Sequence, residues 1–466
     1  MLKRRLSGLS IVAVMSLYST ATYAQEIDMS GFDDDPVGVQ KDKASEDSLL
    51  DGFSDETPSG HFDDKNRNDI SEDEVELITG LTGKFTQFAS YSYSGTKPHN
   101  NITSLRTSLL LDYEHKFENG WRFKINAKTY YDTIYDLRDQ SYSKDELNEF
   151  QSELRLYDAY VEGSISDSVD FKVGRQVVVW GRSDTIRITD ILNPLDNRRP
   201  AIVDIEDLRL PIAMAKIDWF VGNWRITPIA ILEQHFSLNP PFGSAFNPMP
   251  NPNLTEENYN DISYALSVGG EFSGWDINFY AARVRDDIGY VKFAPAPTLT
   301  HDKVNMVGTA LNVLSGSWLF KAELAYFDGL KYTSTQNKTF QRTDALVGAE
   351  YNGIADTLIS YDVSLRHVNN YDTRLLNEIN PLEKNTYQHA FRVSTDLMNA
   401  TVKLNYLISL FGEKLDEGGF QRAWVKYELS DGININVGVV DYIGGSPLFD
   451  TVKESDMVFS DISYSF

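Results

Sequence analysis

The chain has 466 residues, no cysteine, 25 tyrosines, 25 phenylalanines and a formal charge of −25. Without cysteine it is neither a small disulfide scaffold nor a thiolate metal protein. Its acidity excludes a nucleic-acid binder, which needs clustered Lys and Arg against phosphate, and beyond the first residues no apolar run reaches the ~20 residues of a membrane helix.

The opening MLKRRLSGLSIVAVMSLYSTATYAQ combines Lys3, Arg4 and Arg5 with an apolar run from Leu9 to Leu17 and a small-x-small pattern at Thr22-Tyr23-Ala24. That is the layout of a secretory signal peptide over residues 1–24. Residues 25–80 form an acidic segment. Between Glu26 and Ile78 lie 18 acidic and 4 basic residues, a net of −14, and the composition is that of a disordered region. Three related phrases, GFDDD, DGFSDE and GHFDDK, each set one phenylalanine (Phe32, Phe53, Phe62) beside carboxylates. Such repeats predict a partner-binding tether: the aromatic is buried on binding, the carboxylates steer, and repetition raises effective concentration. Two other readings stay open, a solubilising tail and a plug docked on basic groups inside a barrel.

From about residue 81 to 466 the pattern becomes strands of ten or so residues. In WRFKINAKTYYD, Trp121, Phe123, Ile125 and Ala127 alternate with Arg122, Lys124, Asn126 and Lys128, the period of a strand with unlike faces. Short turns are expected near Glu118-Asn119-Gly120, Ser166-Asp167, Gly222-Asn223, Ser273-Gly274, Ser315-Gly316, Asn352-Gly353, Asn399 and Ser430-Asp431, where Gly, Asn, Asp and Ser tolerate turn geometry. Between hairpins the connections are long and polar. Alternating strands with short turns at one end and long loops at the other predict an all-β fold, a transmembrane antiparallel β-barrel of about 18 strands, or 16 if a weak hairpin merges. The location expected is the outer membrane of a Gram-negative bacterium, in contact with outer-membrane lipid. The final strand MVFSDISYSF stops on Phe466 and resembles the C-terminal signal read by the barrel-assembly machinery.

On the polar strand faces, expected to line a lumen, lie Arg106, Lys124, Lys128, Arg155, Arg225, Arg366, Arg392 and Arg422, with carboxylates that include Asp112, Glu162, Glu323, Glu350 and Asp362. This mixture of signs selects neither anions nor cations. The segment VGRQVVVWGRSDTIRITDILNPLDNRRPAIVDIEDLRLP, 173 to 211, starts as a strand and continues from residue 181 as the long loop after the fifth strand. Its interleaved arginines and carboxylates and its buried-type Ile and Leu residues predict a loop packed inward against the wall. The constriction candidates are Arg175, Trp180, Arg182, Asp184, Arg187, Asp190, Asn193 and Asp196. Strict alternation would send Arg175 to lipid with Val173, at ~2–4 kcal/mol in mid-bilayer; a β-bulge near Gly174 is expected to turn it inward. The loop SLNPPFGSAFNPMPNPN, 237 to 253, is stiffened by five prolines and reads either as packed cover or as an apolar gate.

Gly174-Arg175-Gln176, Trp180-Gly181 and Asn193-Pro194-Leu195-Asp196 resemble the shared core of an uncharacterised family of Gram-negative outer-membrane β-barrels, a domain of unknown function. Its members are often encoded near RND-superfamily permeases and LolA-like or LolB-like periplasmic lipid carriers. The resemblance implies movement of a hydrophobic or amphipathic compound together with a periplasmic carrier or RND-type permease, and it brings no catalytic motif. The residues by themselves also allow a diffusion porin for small hydrophilic solutes, or a structural or assembly barrel. No catalytic constellation, metal-ligand spacing or cofactor motif is found, and the chain is read as a non-enzyme without cofactor.

Overall fold

In the computed structural model, residues 80–202, 208–378 and 380–466 are described. The signal-like segment, the acidic tail and Phe32, Phe53 and Phe62 lie outside them, as do Asp204, Glu206 and Asp207 of the long loop.

Eighteen antiparallel strands form one closed barrel: β1 Leu81–Ser92, β2 Asn101–Lys116, β3 Arg122–Asp132, β4 Ser152–Ser166, β5 Val169–Gln176, β6 Ile212–Val221, β7 Trp224–Ile231, β8 Ser263–Phe272, β9 Trp275–Arg285, β10 Lys303–Ser315, β11 Trp318–Leu330, β12 Phe340–Ile354, β13 Thr357–Val368, β14 Asn385–Leu397, β15 Val402–Phe411, β16 Gly419–Ser430, β17 Ile433–Ile443 and β18 Met457–Ser465. Each pairs with the next, and β18 pairs back onto β1, so no sheet edge remains along the seam. At that seam the Gly83 and Phe466 backbones exchange two hydrogen bonds of 2.8 and 2.9 Å. The Phe466 ring covers Gly83 so closely that an added Cβ would sit 2.3 Å from it.

Period-two alternation sets the two faces. On β3, Lys124, Asn126 and Tyr130 turn inward, and Tyr131 is exposed on the outer face. Of the seven tryptophans, Trp121, Trp219, Trp224, Trp275 and Trp318 flank short turns, forming one aromatic girdle of a membrane barrel. Seven of the eight expected turns fall between strands as read. The eighth is displaced: β12 runs on to Ile354 through an irregular stretch after Tyr351, so the chain turns at Ala355-Asp356 instead of Asn352-Gly353. On β4, where alternation slips at Tyr157, one extra residue stands opposite β3, so Arg155 and Asp158 can both belong to the inner face.

The other correction concerns the end of β5. The apolar pattern at Val177 and Val179 reads as continued strand, but pairing stops at Gln176. Asn193 accounts for the break: its Oδ1 accepts from the Val178 N–H at 2.8 Å, and its Nδ2 donates to the carbonyls of Gln176 and Leu210. The side chain replaces the missing ladder and peels the chain off the wall into the lumen.

Candidate functional site: a loop across the lumen

The described part of the connection from β5 to β6, residues 177–202 and 208–211, lies inside the barrel and is largely buried. Its first half packs on the wall formed by β6 to β13. Trp180 stacks on Tyr280 with ring centroids 4.6 Å apart, and Ile186, Ile188 and Leu192 join an apolar cluster with Ile212, Met214, Ile229, Ile231 and Val284. Polar anchoring is concentrated on two buried carboxylates. Glu323 accepts from the N–H groups of Arg182 (2.6 Å), Ser183 (3.0 Å) and Thr189 (3.2 Å) and from the Thr189 hydroxyl (2.8 Å). Asp362 accepts from the hydroxyls of Ser183 and Thr185 at 2.7 and 2.6 Å. Lys321 joins Asp184 (2.8 Å) to Glu350 (3.0 Å), and Arg182 pairs with Asp276. Gly181 permits this approach: its φ is +90°, and an added Cβ would lie 2.9 Å from a Glu323 oxygen.

The second half crosses to the opposite wall. Arg198 pairs with Asp196 (2.6 Å), Glu153 (2.8 Å) and Glu149 (3.3 Å), and Arg199 reaches Asp132 at 3.2 Å. The Tyr442 hydroxyl donates to the Pro200 carbonyl at 2.5 Å. Leu195, Ala201 and Leu208 enter a second apolar cluster with Phe420, Trp424, Tyr442 and Phe459. Within the loop, Arg187 and Arg209 both pair with Asp190, at 3.2 and 2.9 Å. Burial pushes the Asp190 carboxyl up, but the two guanidiniums outweigh it and hold it below the usual range. Asp196 is likewise raised by burial and lowered further by Arg198.

The loop 237 to 253 lies over this one. Backbone bonds join Leu238 to Leu195 and Asn197, Phe246 packs edge-on to Tyr442, and the Ser143 hydroxyl donates to the Phe242 carbonyl. It is packed cover, tied to the inward loop.

Among the constriction candidates, Trp180, Arg182, Asp184, Arg187, Asp190, Asn193 and Asp196 are all brought into the lumen loop. Arg175 is not. Register runs without a shift through Gly174 on both sides of β5, so there is no bulge, and Arg175 keeps the outward parity of Phe171 and Val173. The charge is met by a partner instead of a bend. Arg175 pairs with Glu233 at 2.6 Å and donates to the Pro211 carbonyl at 2.8 Å. The eight basic residues assigned to the polar faces keep their inward parity. Lys124 pairs with Asp112, Arg155 with Glu153, and Arg106 lies over the Tyr130 ring. Arg392 and Arg422 are almost fully buried, the latter against Trp424 and Phe459. Sequence reasoning placed Glu323 and Asp362 on the polar face but did not single them out as the loop's anchors; nothing local marks them, since their donors lie 134 to 179 residues away. Among the described residues no group of three or more His, Cys, Asp or Glu is placed to hold a metal.

Among solved structures, the fold is similar to OccK8 (OprE) of Pseudomonas aeruginosa, at 9% identity and a TM-score of 0.50 over 83% of this chain and 98% of that one. It is similar also to OccAB3 of Acinetobacter baumannii, at 10% identity and a TM-score of 0.50 over the same shares. At these identities the likeness is one of fold, that of an outer-membrane barrel. No curated protein matches the chain. The family model described as "Protein of unknown function (DUF1302)" matches residues 13–466, and the chain, with its closed 18-stranded barrel and inward loop, belongs to that family.

Proposed function

We propose that this chain is an outer-membrane channel barrel that moves a hydrophobic or amphipathic compound in concert with a periplasmic carrier or an inner-membrane permease of the RND type. The observation that carries the reading is the seam between the inward loop and the wall, where the nearly fully buried side chains of Trp180, Ile186, Ile188 and Leu192 pack against Met214, Ile229, Ile231 and Val284. A path opened along that seam would be apolar: a hydrated solute would find no polar groups there to replace its lost water, and an apolar constriction dewets. An apolar molecule needs no such groups. Toward the short turns, which are periplasmic in such barrels, the inner face is polar and mixed in sign, with pairs such as Lys124–Asp112, Lys172–Glu162 and Lys216–Asp218. That vestibule suits a polar headgroup or a docking partner. The acidic tail enters β1 from the same end, so Phe32, Phe53 and Phe62 are the segments we assign to partner capture.

The same charged vestibule favours a second reading, a diffusion porin for small hydrophilic solutes. Conductance of the purified, refolded protein in planar bilayers, with and without residues 26–78, separates the two. The first reading expects a silent or barely conducting intact barrel. Steady large openings in the intact protein would overturn it in favour of the porin, and opening only after truncation would assign the tail to a plug.

A further inference from the structure

Among the Lys and Arg residues on the barrel strands, inward parity is broken only by Arg175 on β5, Arg283 and Arg285 on β9, and Lys303 on β10. Arg175 has its own carboxylate, Glu233. The other three sit together. In register, Arg283 stands between Tyr264 of β8 and Asn305 of β10, and Arg285 stands opposite Lys303. Burial alternates along β9, with Ala282 and Val284 buried and Ala281 and Arg283 exposed, which marks the Arg283 face as the outer one. Trp275, at the other end of β9, belongs to the aromatic girdle by the short turns. Eight residues further along, at ~3.3 Å each and a tilt of ~40°, Arg283 lies ~20 Å above it, and the apolar band of such a barrel is ~25 Å tall. The basic patch therefore stands at the extracellular edge of the band, where headgroups begin.

Its charge is not balanced from within the protein. Asp261 serves both Arg285, at 2.6 Å, and Lys303, at 2.5 Å. Arg285 is drawn up beneath the loops, its guanidinium over the Tyr259 ring. The Lys303 ammonium also donates to the Ile262 carbonyl at 2.9 Å, which carries it across the top of β9 and leaves its third N–H for another partner. Arg283 is exposed and has neither an ion pair nor a hydrogen bond among the described residues. Beside it, Asn305 and Tyr264 are exposed as well and present neutral hydrogen-bonding groups. Beyond Asn305 the row continues with Asp328, which accepts from Gln341 at 3.0 Å and bounds the patch on that side.

We propose that this patch binds the phosphate of an outer-leaflet glycolipid between Arg283 and Lys303, with Asn305 and Tyr264 against the sugar. The two cations are diagonal neighbours on β9 and β10, ~7–8 Å apart at their Cβ atoms, a span that two long side chains close on one phosphate. With the short turns in the periplasm, this end of the wall meets the outer leaflet, whose lipids in a Gram-negative envelope are phosphorylated glycolipids. An excess of positive charge at headgroup level selects them over neutral lipid. The inference goes beyond the proposed transport and does not rest on it. On its inner face β9 carries Tyr280 and Val284 of the loop seam, so a headgroup held here backs the wall on which the loop packs.

The absence of cysteine lets one label report one position. The full chain carrying Val307→Cys, next below Asn305 on the outer face of β10, is labelled with a fluorophore and reconstituted in phosphatidylcholine vesicles. Val439→Cys on the outer face of β17 is the control, since both positions lie four residues from the extracellular end of their strand. Spin-labelled diphosphoryl lipid A, a contact-range quencher, is then added in rising mole fraction. Saturable quenching is expected at 307 and not at 439, relieved by unlabelled lipid A but not by its dephosphorylated form or by phosphatidylglycerol. Arg283→Gln should weaken it about fivefold, the worth of one cation at a headgroup surface. Because Arg283 has no partner in the barrel, that variant keeps every contact of the wall. Asp328→Asn should strengthen it. Equal, non-saturating quenching at both positions overturns the site, and insensitivity to Arg283→Gln overturns the residue assignment. Relief by the dephosphorylated glycolipid overturns the phosphate, and relief by phosphatidylglycerol as strong as by lipid A overturns the glycolipid.

Discussion

The two halves of the inward loop are held by different physics. Residues 180–192 are fixed by neutral donors converging on two wall carboxylates, Glu323 and Asp362, over an apolar bed. Residues 195–202 are fixed by guanidiniums carried on the loop itself, Arg198 and Arg199, reaching wall carboxylates on β3 and β4. In the first half backbone and hydroxyl donors of the loop carry most of the attachment, beside the ion pairs Arg182–Asp276 and Asp184–Lys321; in the second the loop's guanidiniums carry it. Backbone donors leave a segment little freedom to slide, because they cannot be re-aimed without changing φ and ψ. Long arginines can follow a moving loop for some distance and keep their pairs. The first half therefore reads as the fixed end of the loop and the second as its compliant end.

The largest test of this difference is Glu323→Ala. It removes the acceptor of three N–H groups, that of Thr189 fully buried and costing ~1–3 kcal/mol, those of Arg182 and Ser183 half-buried and costing less, and the 180–192 end should undock, seen as new conductance fluctuations in planar bilayers. Arg198→Ala should cost ~3–5 kcal/mol by leaving Asp196 and Glu153 without their shared cation; limited proteolysis should then cut near residue 198 while the region around 185 stays protected. If both variants release the whole loop, the two ends are one unit, and the double variant will be far from additive. Gly181→Ala should cost ~1–2 kcal/mol through its left-handed backbone, with a small rise in conductance noise and no new cleavage.

The smallest effect is that of acid on the loop's own pairs. Asp190 and Asp196 have folded pKa values below the ordinary carboxylate range. Their stabilisation is therefore fully present above the unfolded value of ~3.9 and is lost as pH falls below it through the depressed folded values. The Asp190 and Asp196 pairs should stay intact from pH 7 to ~4.5 and loosen only in more acid buffer, read as limited proteolysis near residue 198. Cleavage there already near pH 6 would show that these pairs do not hold the 195–202 end.

Most of the barrel was readable in the sequence because its information is local. A period of two and a two-residue turn are complete within ten residues, which is why Trp121 to Lys128 declares its faces unaided. The errors fell where a distant group decides. β5 ends at Gln176 because Asn193 returns to cap it, although Val177 and Val179 continue the apolar pattern. Arg175 was expected to need a bulge because its partner, Glu233, lies 58 residues away. The inward position of the loop followed from its length and composition, but its anchors did not, since any inward carboxylate on any strand would have looked the same as Glu323.

The separations along the chain also order events in time. The loop's hydrogen bonds to Glu323, Asp362 and Tyr442 span 141, 179 and 242 residues. Closing such long segments is slow and gains nothing until both ends are in place. None of these contacts can form before β11, β13 and β17 have joined the wall. During assembly the barrel passes through an open form, and a variant that loses an anchor is arrested at that stage: a completed wall around a lumen that never shuts.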